Sequence, residues 1–350
     1  MIRNIFCVLA LTSSLHAQED TVKVSLNLDP EQTAQLDYNN GLAAMEQKNF
    51  SAAAELFSRS LEIKPDFEKA LSNRAIAFTN LKRYNDALND IGEAIKLSPA
   101  NEEYQFNKSL IYAGMNKRDS QEVALDKCLE LNGNHPEAAY YKGLLHYEKK
   151  EFDKAIGYYS LAILNKPGFA FAYNDRGSAR RAKDEIQAAV ADYESAVLAD
   201  SSHAFIWNNL GSAYRLNGQR DKSIKAYNKA ISIQNNYLIA LNNRGVAYFE
   251  NDQLKQAQLD FEEVLSIDAK NSNAYNNLSS VAIRNKDYKK ARELADRAIA
   301  LDKKNGPAYY NRGIARQMLR EEEGSCNDWK TAFELGVTSA KHFINASCQN

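Results

Sequence analysis

An all-α solenoid of stacked helical hairpins is the fold class this sequence predicts, on three observations. Small residues recur every 34 positions, with no insertion or deletion. Within each period the apolar residues are spaced by three and four, which places them on one face of a helix. The 350 residues include only 15 glycines and 6 prolines, sparse punctuation for an all-β or loop-rich chain. Apolar residues make up 44 %, which argues against wholesale disorder. The balance of 44 basic against 45 acidic side chains argues against a nucleic-acid binder and against an acidic tail.

Residues 1–17 are expected to be a secretory signal peptide. Arg3 gives the positive start, Ile5 to Leu11 the apolar run, and Ala17 the small residue at the cleavage site. The run is too short to span a bilayer. Cys7 lies inside it, and the preceding Asn4-Ile5-Phe6 lacks the small residues of a lipoprotein cleavage box. The mature chain is expected to begin near Gln18 and to sit in a periplasm or outside the cell, with no integral membrane span. Its cysteines are then Cys128, Cys326 and Cys348, too few for a disulfide framework.

The repeat is visible in four columns. Gly41, Ala75, Ser109, Gly143, Gly177, Gly211, Gly245, Ser279 and Gly313 are each 34 apart. Ala53, Ala87, Gln121, Ala155, Ala189, Ser223, Ala257, Ala291 and Ser325 form a second column. A third, bulky column runs Phe57, Ile91, Leu125, Tyr159, Tyr193, Tyr227, Phe261, Ala295 and Trp329. The fourth, from Ser60 to Ala332, is mostly small and includes Cys128 as a core residue. Nine units follow: 34–67, 68–101, 102–135, 136–169, 170–203, 204–237, 238–271, 272–305 and 306–339. Residues 18–33 lead in and 340–350 form a tail.

Each unit is expected to be a helix, a short turn and an antiparallel helix, because small residues admit a close neighbour and bulky ones fill the gap. Proline placement agrees. Pro65, Pro99 and Pro167 close second helices, and Pro30, Pro136 and Pro307 stand where helices begin.

The pattern resembles the tetratricopeptide repeat (TPR). Trp207-Asn208-Asn209-Leu210-Gly211-Ser212-Ala213-Tyr214 is similar to the family motif, as are Ala257, Phe261 and Val264. The resemblance covers 34–339 and implies a right-handed superhelical solenoid that binds proteins or peptides on its concave face. Gln121, Ala295, Arg180 and Arg316 depart from the pattern and put local packing in question.

A solenoid needs a cap at its end, because each unit buries its face on its neighbours. Ala340, Phe343, Ile344 and Ser347 have the spacing of a capping helix. Cys326 precedes Val337 by eleven residues and Cys348 follows it by eleven. A hairpin turning near Val337 would pair them, and an oxidising compartment would let the bridge form.

A polar column stands two residues before the first small column: Asn39, Asn73, Asn107, Tyr141, Asp175, Asn209, Asn243, Asn277 and Asn311. Asn208, Asn242 and Asn276 double it toward the C-terminus. Asparagine is a middling helix former, so propensity does not explain the choice. Its amide offers donors and acceptors at one tip. The row resembles the asparagine ladders of peptide-binding TPR superhelices, and hydrogen bonds between neighbouring helices are the other reading. Tyr38, Phe106, Tyr140, Phe171, Phe205 and Phe249 would supply pockets or ordinary packing. The carboxylate clamp for chaperone tails is disfavoured. Its Lys and Asn places hold Tyr38/Leu42, Ser72/Ile76 and Phe106/Leu110.

Charge divides along the chain, with a net of −7 over 18–203 and +5 over 204–350. Arg284, Lys286, Lys289, Lys290, Arg292 and Arg297 form the densest basic stretch, interleaved with acids as on a solvated helix face.

No catalytic constellation, cofactor site or metal site is recognisable. His135, His146, His203 and His342 fall in different places without ligand spacing, and the column glycines belong to the repeat rather than to a phosphate loop. The function expected is a non-catalytic scaffold or adaptor binding a protein or an extended peptide, with no nucleic acid and an undetermined oligomeric state. A structural spacer and a glycan-binding or enzyme-associated accessory remain the alternatives.

Overall fold

The computed structural model describes residues 29–348. The signal segment expected at 1–17 lies outside them, together with 18–28 of the lead-in and the last two residues of the tail. The described residues form nineteen α-helices and no strand. The chain divides into two compact units after Pro99.

The first unit holds α1 (Pro30–Glu46), α2 (Phe50–Ile63), α3 (Glu68–Asn80) and α4 (Tyr84–Leu97). The second begins with α5 (Glu102–Gly114), α6 (Arg118–Leu131), α7 (Pro136–Glu148), α8 (Phe152–Asn165), α9 (Ala170–Ala182) and α10 (Ile186–Ala199). It continues with α11 (Ala204–Leu216), α12 (Arg220–Ile233), α13 (Leu238–Glu250) and α14 (Leu254–Ile267). It ends with α15 (Ser272–Arg284), α16 (Tyr288–Leu301), α17 (Gly306–Met318), α18 (Glu322–Glu334) and α19 (Ala340–Ser347). We call the odd-numbered helix of each repeat its A helix and the even-numbered one its B helix. Within each unit a helix packs chiefly on its immediate neighbours in sequence, as in a solenoid.

From α3 onward every A helix begins at the first residue of its 34-residue unit. The first differs, starting at Pro30 rather than 34. Its reason is local. The Asp29 carboxylate accepts the Gln32 N–H at 2.8 Å and the Gln32 side chain accepts the Asp29 N–H at 3.2 Å, a capping box with proline at the first helical place.

The A-to-B turn is made the same way in every repeat. One residue goes left-handed just after the A helix: Lys48, Lys82, Asn116, Lys150, Asp184, Gly218, Asp252, Lys286 and Arg320, with φ between 56° and 74°. Gly218 alone among them meets that demand without a Cβ penalty. The scarcity of glycine in the sequence therefore reflects turns built on polar side chains.

Packing between the helices of a hairpin follows a size rule. Gly41, Gly143, Gly177, Gly211, Gly245 and Gly313 face Phe57, Tyr159, Tyr193, Tyr227, Phe261 and Trp329, whose rings lie where a Cβ would go. Where the first residue is larger the second is smaller, as in Ala75 with Ile91, Ser109 with Leu125 and Ser279 with Ala295, all fully buried. Ala295 is thus compensated, and the Ser279 hydroxyl donates to the Ala291 carbonyl at 2.8 Å. Gln121, the other departure, is 2 % exposed and its side-chain oxygen accepts from Arg118 at 3.2 Å.

At the C-terminus α19 lies against α18. Trp329 is fully buried, with the Phe343 ring 4.8 Å away, and Ala340 is fully buried beside it. Gly336, at φ +93°, turns the chain between them. Cys326 and Cys348 are joined by a disulfide, with their Cα atoms 5.6 Å apart. Cys128 is a buried free thiol, pushed up to about 12 chiefly by burial.

Candidate peptide-binding face

The amide column lies on the A helices, and its members bond from one repeat to the next. Each amide donor reaches a residue 35 positions earlier. In the second unit Asn209 donates to the Asn174 side-chain oxygen at 2.9 Å, and Asn243 to Asn208 at 3.0 Å. Asn277 donates to Asn242 at 2.8 Å, and Asn311 to Asn276 at 2.8 Å. Between Tyr140 and Asp175 the direction is reversed: the Tyr140 hydroxyl donates at 2.7 Å to the carboxylate 35 positions later. In the first unit Asn73 donates to the Tyr38 hydroxyl at 3.0 Å. Asn174 and Asn276 also donate to their own neighbours Asp175 and Asn277.

The amides therefore tie A helices together. Each such bond uses one of the two N–H groups that an amide carries. Asn209, Asn243 and Asn277 are half-buried, whereas Asn208, Asn276 and Asn311 are buried. Asn39 is exposed, and its oxygen accepts from Gln35 on the same helix. Asn107 is half-buried on α5. Burial raises the Asp175 carboxyl above its ordinary value, against the hydrogen bonds from Tyr140 and Asn174. Burial first, and the Asp175 carboxylate second, push the Tyr140 phenol up as well.

The aromatic candidates divide in two. Tyr38 packs on Phe57 and Phe67, Phe106 on Tyr141 and His135, and Tyr140 on Tyr159 and Phe169. Those are packing residues. Phe171 is 39 % exposed, stacked on Phe205 with centroids 6.0 Å apart, and Ile239 follows in the same place one repeat later, 58 % exposed. Phe249 is half-buried with the Arg284 guanidinium over its ring. Repeats 5 to 7 thus carry an apolar strip beside the amide row.

A second polar system was not visible to column-by-column reading. Arg74, Arg176, Arg244 and Arg312 occupy one place in repeats 2, 5, 7 and 9. Each forms an ion pair, at 2.6–2.7 Å, with the Asp sixteen residues on: Asp90, Asp192, Asp260 and Asp328. Each also reaches back sixteen residues, to Ser58, Ser160, Asn228 and Asp296. Arg180 and Arg316, which replace the usual aromatic, join the same carboxylates, Asp192 and Asp328, at 2.8 Å. The signal was co-occurrence: arginine in one column and aspartate in the other appear in the same repeats.

Among the described residues no cluster of His, Cys, Asp and Glu is arranged to hold a metal ion, and no helix is long and apolar enough to cross a membrane. The buried histidines have local duties. His135 accepts from the Ala138 N–H at the start of α7, and His146 sits 2.7 Å from Glu151.

Family models for the tetratricopeptide repeat match residues 38–102, 116–168, 211–252 and 248–311, together more than half of the chain. Tetratricopeptide repeat protein 13 of Homo sapiens is 28 % identical over 134 residues, 38 % of this chain and 16 % of that one. Heat shock protein STI1 of Saccharomyces cerevisiae is 32 % identical over 99 residues, 28 % of this chain and 17 % of its own. The chain thus spans only 16–17 % of the length of these two relatives. The C-terminal part of a TPR repeat-containing protein from Cytophaga hutchinsonii shares the fold, with a TM-score of 0.55 at 18 % identity over 69 % of this chain and 98 % of that one. The in-phase hairpins, the glycine-to-ring packing and these matches agree: the chain belongs to the tetratricopeptide repeat family.

Proposed function

We propose that this chain is a non-catalytic scaffold of an exported assembly, holding an extended segment of a partner protein along the A helices of repeats 5 to 8. One observation carries the reading. Exposed Phe171 and Ile239 and half-buried Phe205 form an apolar strip. They stand four residues before Asp175, Asn243 and Asn209 respectively, and so on the same helix face as the amide row. In that row half-buried Asn209 and Asn243 each give one N–H to the preceding repeat. Apolar side chains of the partner would sit on the strip while the amides meet its backbone. The pre-tied amides are held in place before binding, which lowers the entropic cost of ordering them. Export is supported by the Cys326–Cys348 disulfide, a bond that persists in oxidising compartments, together with the signal-like residues 1–17.

The test is a displayed random-peptide selection on the folded protein. Selected peptides should lose binding to Phe205→Glu and Ile239→Glu variants of unchanged helicity. Undiminished binding to both would end the assignment of this face. Edman sequencing of the natively produced protein should start near Gln18, and an N-terminus at Met1 would remove the export reading. The spacer alternative gains from the amides being used between repeats, and it predicts that no peptide is selected at all.

A further inference from the structure

The B-helix face of the second unit is sealed by an ion pair in some repeats, and in repeat 6 it opens on an apolar groove. In repeats 5, 7 and 9 the Arg–Asp pair fills the space between the A helix and its own B helix. In repeat 6 the two places hold Leu210 and Ala226, so the polar plug is gone. What remains is a cavity of about 420 Å³ between α10 and α12, floored by α11. Trp207, Leu210 and Tyr214 form the floor, and Val197 closes one wall. This is the size of a pocket that takes one large side chain with some flanking backbone.

Its rim is basic. Lys222, Lys225 and Lys229 follow one another at helical spacing along α12 and are exposed, spanning roughly 10 Å. Among the described residues none of the three is ion-paired, and Lys222 lies over the Tyr214 ring at 5.2 Å. Glu194 is the one acid at the rim, and it is engaged by the Tyr214 hydroxyl at 2.5 Å. Other repeats without the pair do not share this combination. The repeat 8 cavity, beside Leu278 and Leu294, is about 160 Å³ and has Glu262 and Asp287 against Lys290. The repeat 3 cavity beside Lys108 is lined by Asp119, Asp126 and Glu130 as well as by lysines.

We propose that this groove docks an acidic peptide segment of a partner protein, with one aromatic or branched aliphatic side chain on Trp207, Leu210 and Ala226 and flanking carboxylates on Lys222, Lys225 and Lys229. Charge complementarity sets the partner: an apolar floor with unpaired cations along one edge rewards an anchor residue bracketed by acids. The lysines stand on α12, a B helix, and the floor residues Trp207, Leu210 and Tyr214 of α11 are not among its amides Asn208 and Asn209, so the proposal stands or falls independently of the peptide-binding face.

The chain has two tryptophans, and Trp329 is fully buried in the cap, so a ligand-induced emission change reports Trp207. The probe is acetyl-Glu-Glu-Phe-Glu-Glu-amide, with acetyl-Gln-Gln-Phe-Gln-Gln-amide as control and phosphatidylglycerol vesicles as the competing anionic surface. The expected result is a saturable Trp207 shift with the acidic peptide that weakens with added salt and is absent with the control. K225E/K229E should weaken binding by at least about tenfold with helicity unchanged. L210R/A226D, which installs the pair used by the other repeats, should abolish it. No shift with the acidic peptide, equal affinity in K225E/K229E, or a lysine-dependent response to vesicles but not to peptide would each overturn the proposal. If L210R/A226D does not fold, the surface variant decides alone.

Discussion

A Cβ on Gly211 would stand 2.6 Å from the Tyr227 ring, closer than two carbon atoms can approach. Ser109 faces Leu125 at the equivalent places, where a smaller partner leaves room for the side chain. Gly211→Ala gains about 1 kcal/mol of helix propensity. It loses about 1–3 kcal/mol to overpacking against a fully buried ring. Urea unfolding should show a net loss of up to about 2 kcal/mol. Combining it with Tyr227→Leu should cost less than the two single losses added together. Strict additivity would mean that the ring does not set the limit.

Asp175 stands in a column that is otherwise mostly asparagine, and its carboxyl is raised by burial. A raised carboxyl binds its proton more tightly folded than unfolded, so the native state loses stability as pH rises from the unfolded value through the folded one. Asp175→Asn keeps an acceptor for Tyr140 and removes the charge. The variant should melt higher than wild type at neutral pH, with the difference shrinking toward zero as pH falls below the ordinary carboxylate range. A difference independent of pH would refute the role of the charge.

The three tyrosines of the bulky column differ in one atom's surroundings. The hydroxyls of Tyr193 and Tyr227 meet Ser178 and Ser212 at 2.9 and 3.2 Å. The Tyr159 hydroxyl is buried without a partner, because Leu144 holds the serine's place. Tyr159→Phe should leave stability unchanged or raise it, whereas Tyr193→Phe should lower it by about 1 kcal/mol. Thermal melts of the two variants provide the comparison, and equal losses would contradict it.

Cys128 should resist thiol reagents in the native protein, because burial keeps it protonated, and should react once the chain is unfolded. The Cys326–Cys348 bridge closes 22 residues, for which chain entropy gives about 3 kcal/mol. Replacing both cysteines by serine should raise hydrogen exchange in α19 and α18 before any other helix of the second unit. Uniform exchange throughout that unit would show that the bridge does not secure the end.

Most of the fold was legible because a solenoid repeats its packing problem, so a column of small residues and a column of rings expose themselves by period. Helix starts coincide with the repeat boundaries for the same reason, and only α1, extended by the Asp29–Gln32 capping box, departs. The compensation of Ala295 by Ser279 was hidden, because it links two columns rather than marking one. The Arg–Asp pairs were hidden likewise. For the candidate face, sequence located the amides but not their partners. Whether Asn209 points to a ligand or to Asn174 depends on a distance across repeats that spacing alone does not contain. The exposure that separates Phe171 from the packed Phe106 is also a property of neighbours.

The disulfide has a mechanical consequence. Stretched from its two ends, the second unit can pay out its helices one hairpin at a time, but the 22-residue span from Cys326 to Cys348 withholds roughly 75 Å of contour until it is reduced. Tension arriving at the C-terminus therefore bypasses α19 and most of α18, entering at Cys326 and leaving the loop that holds the buried Trp329 unloaded. A tether at this end grips the array through a covalent loop instead of through a single short helix.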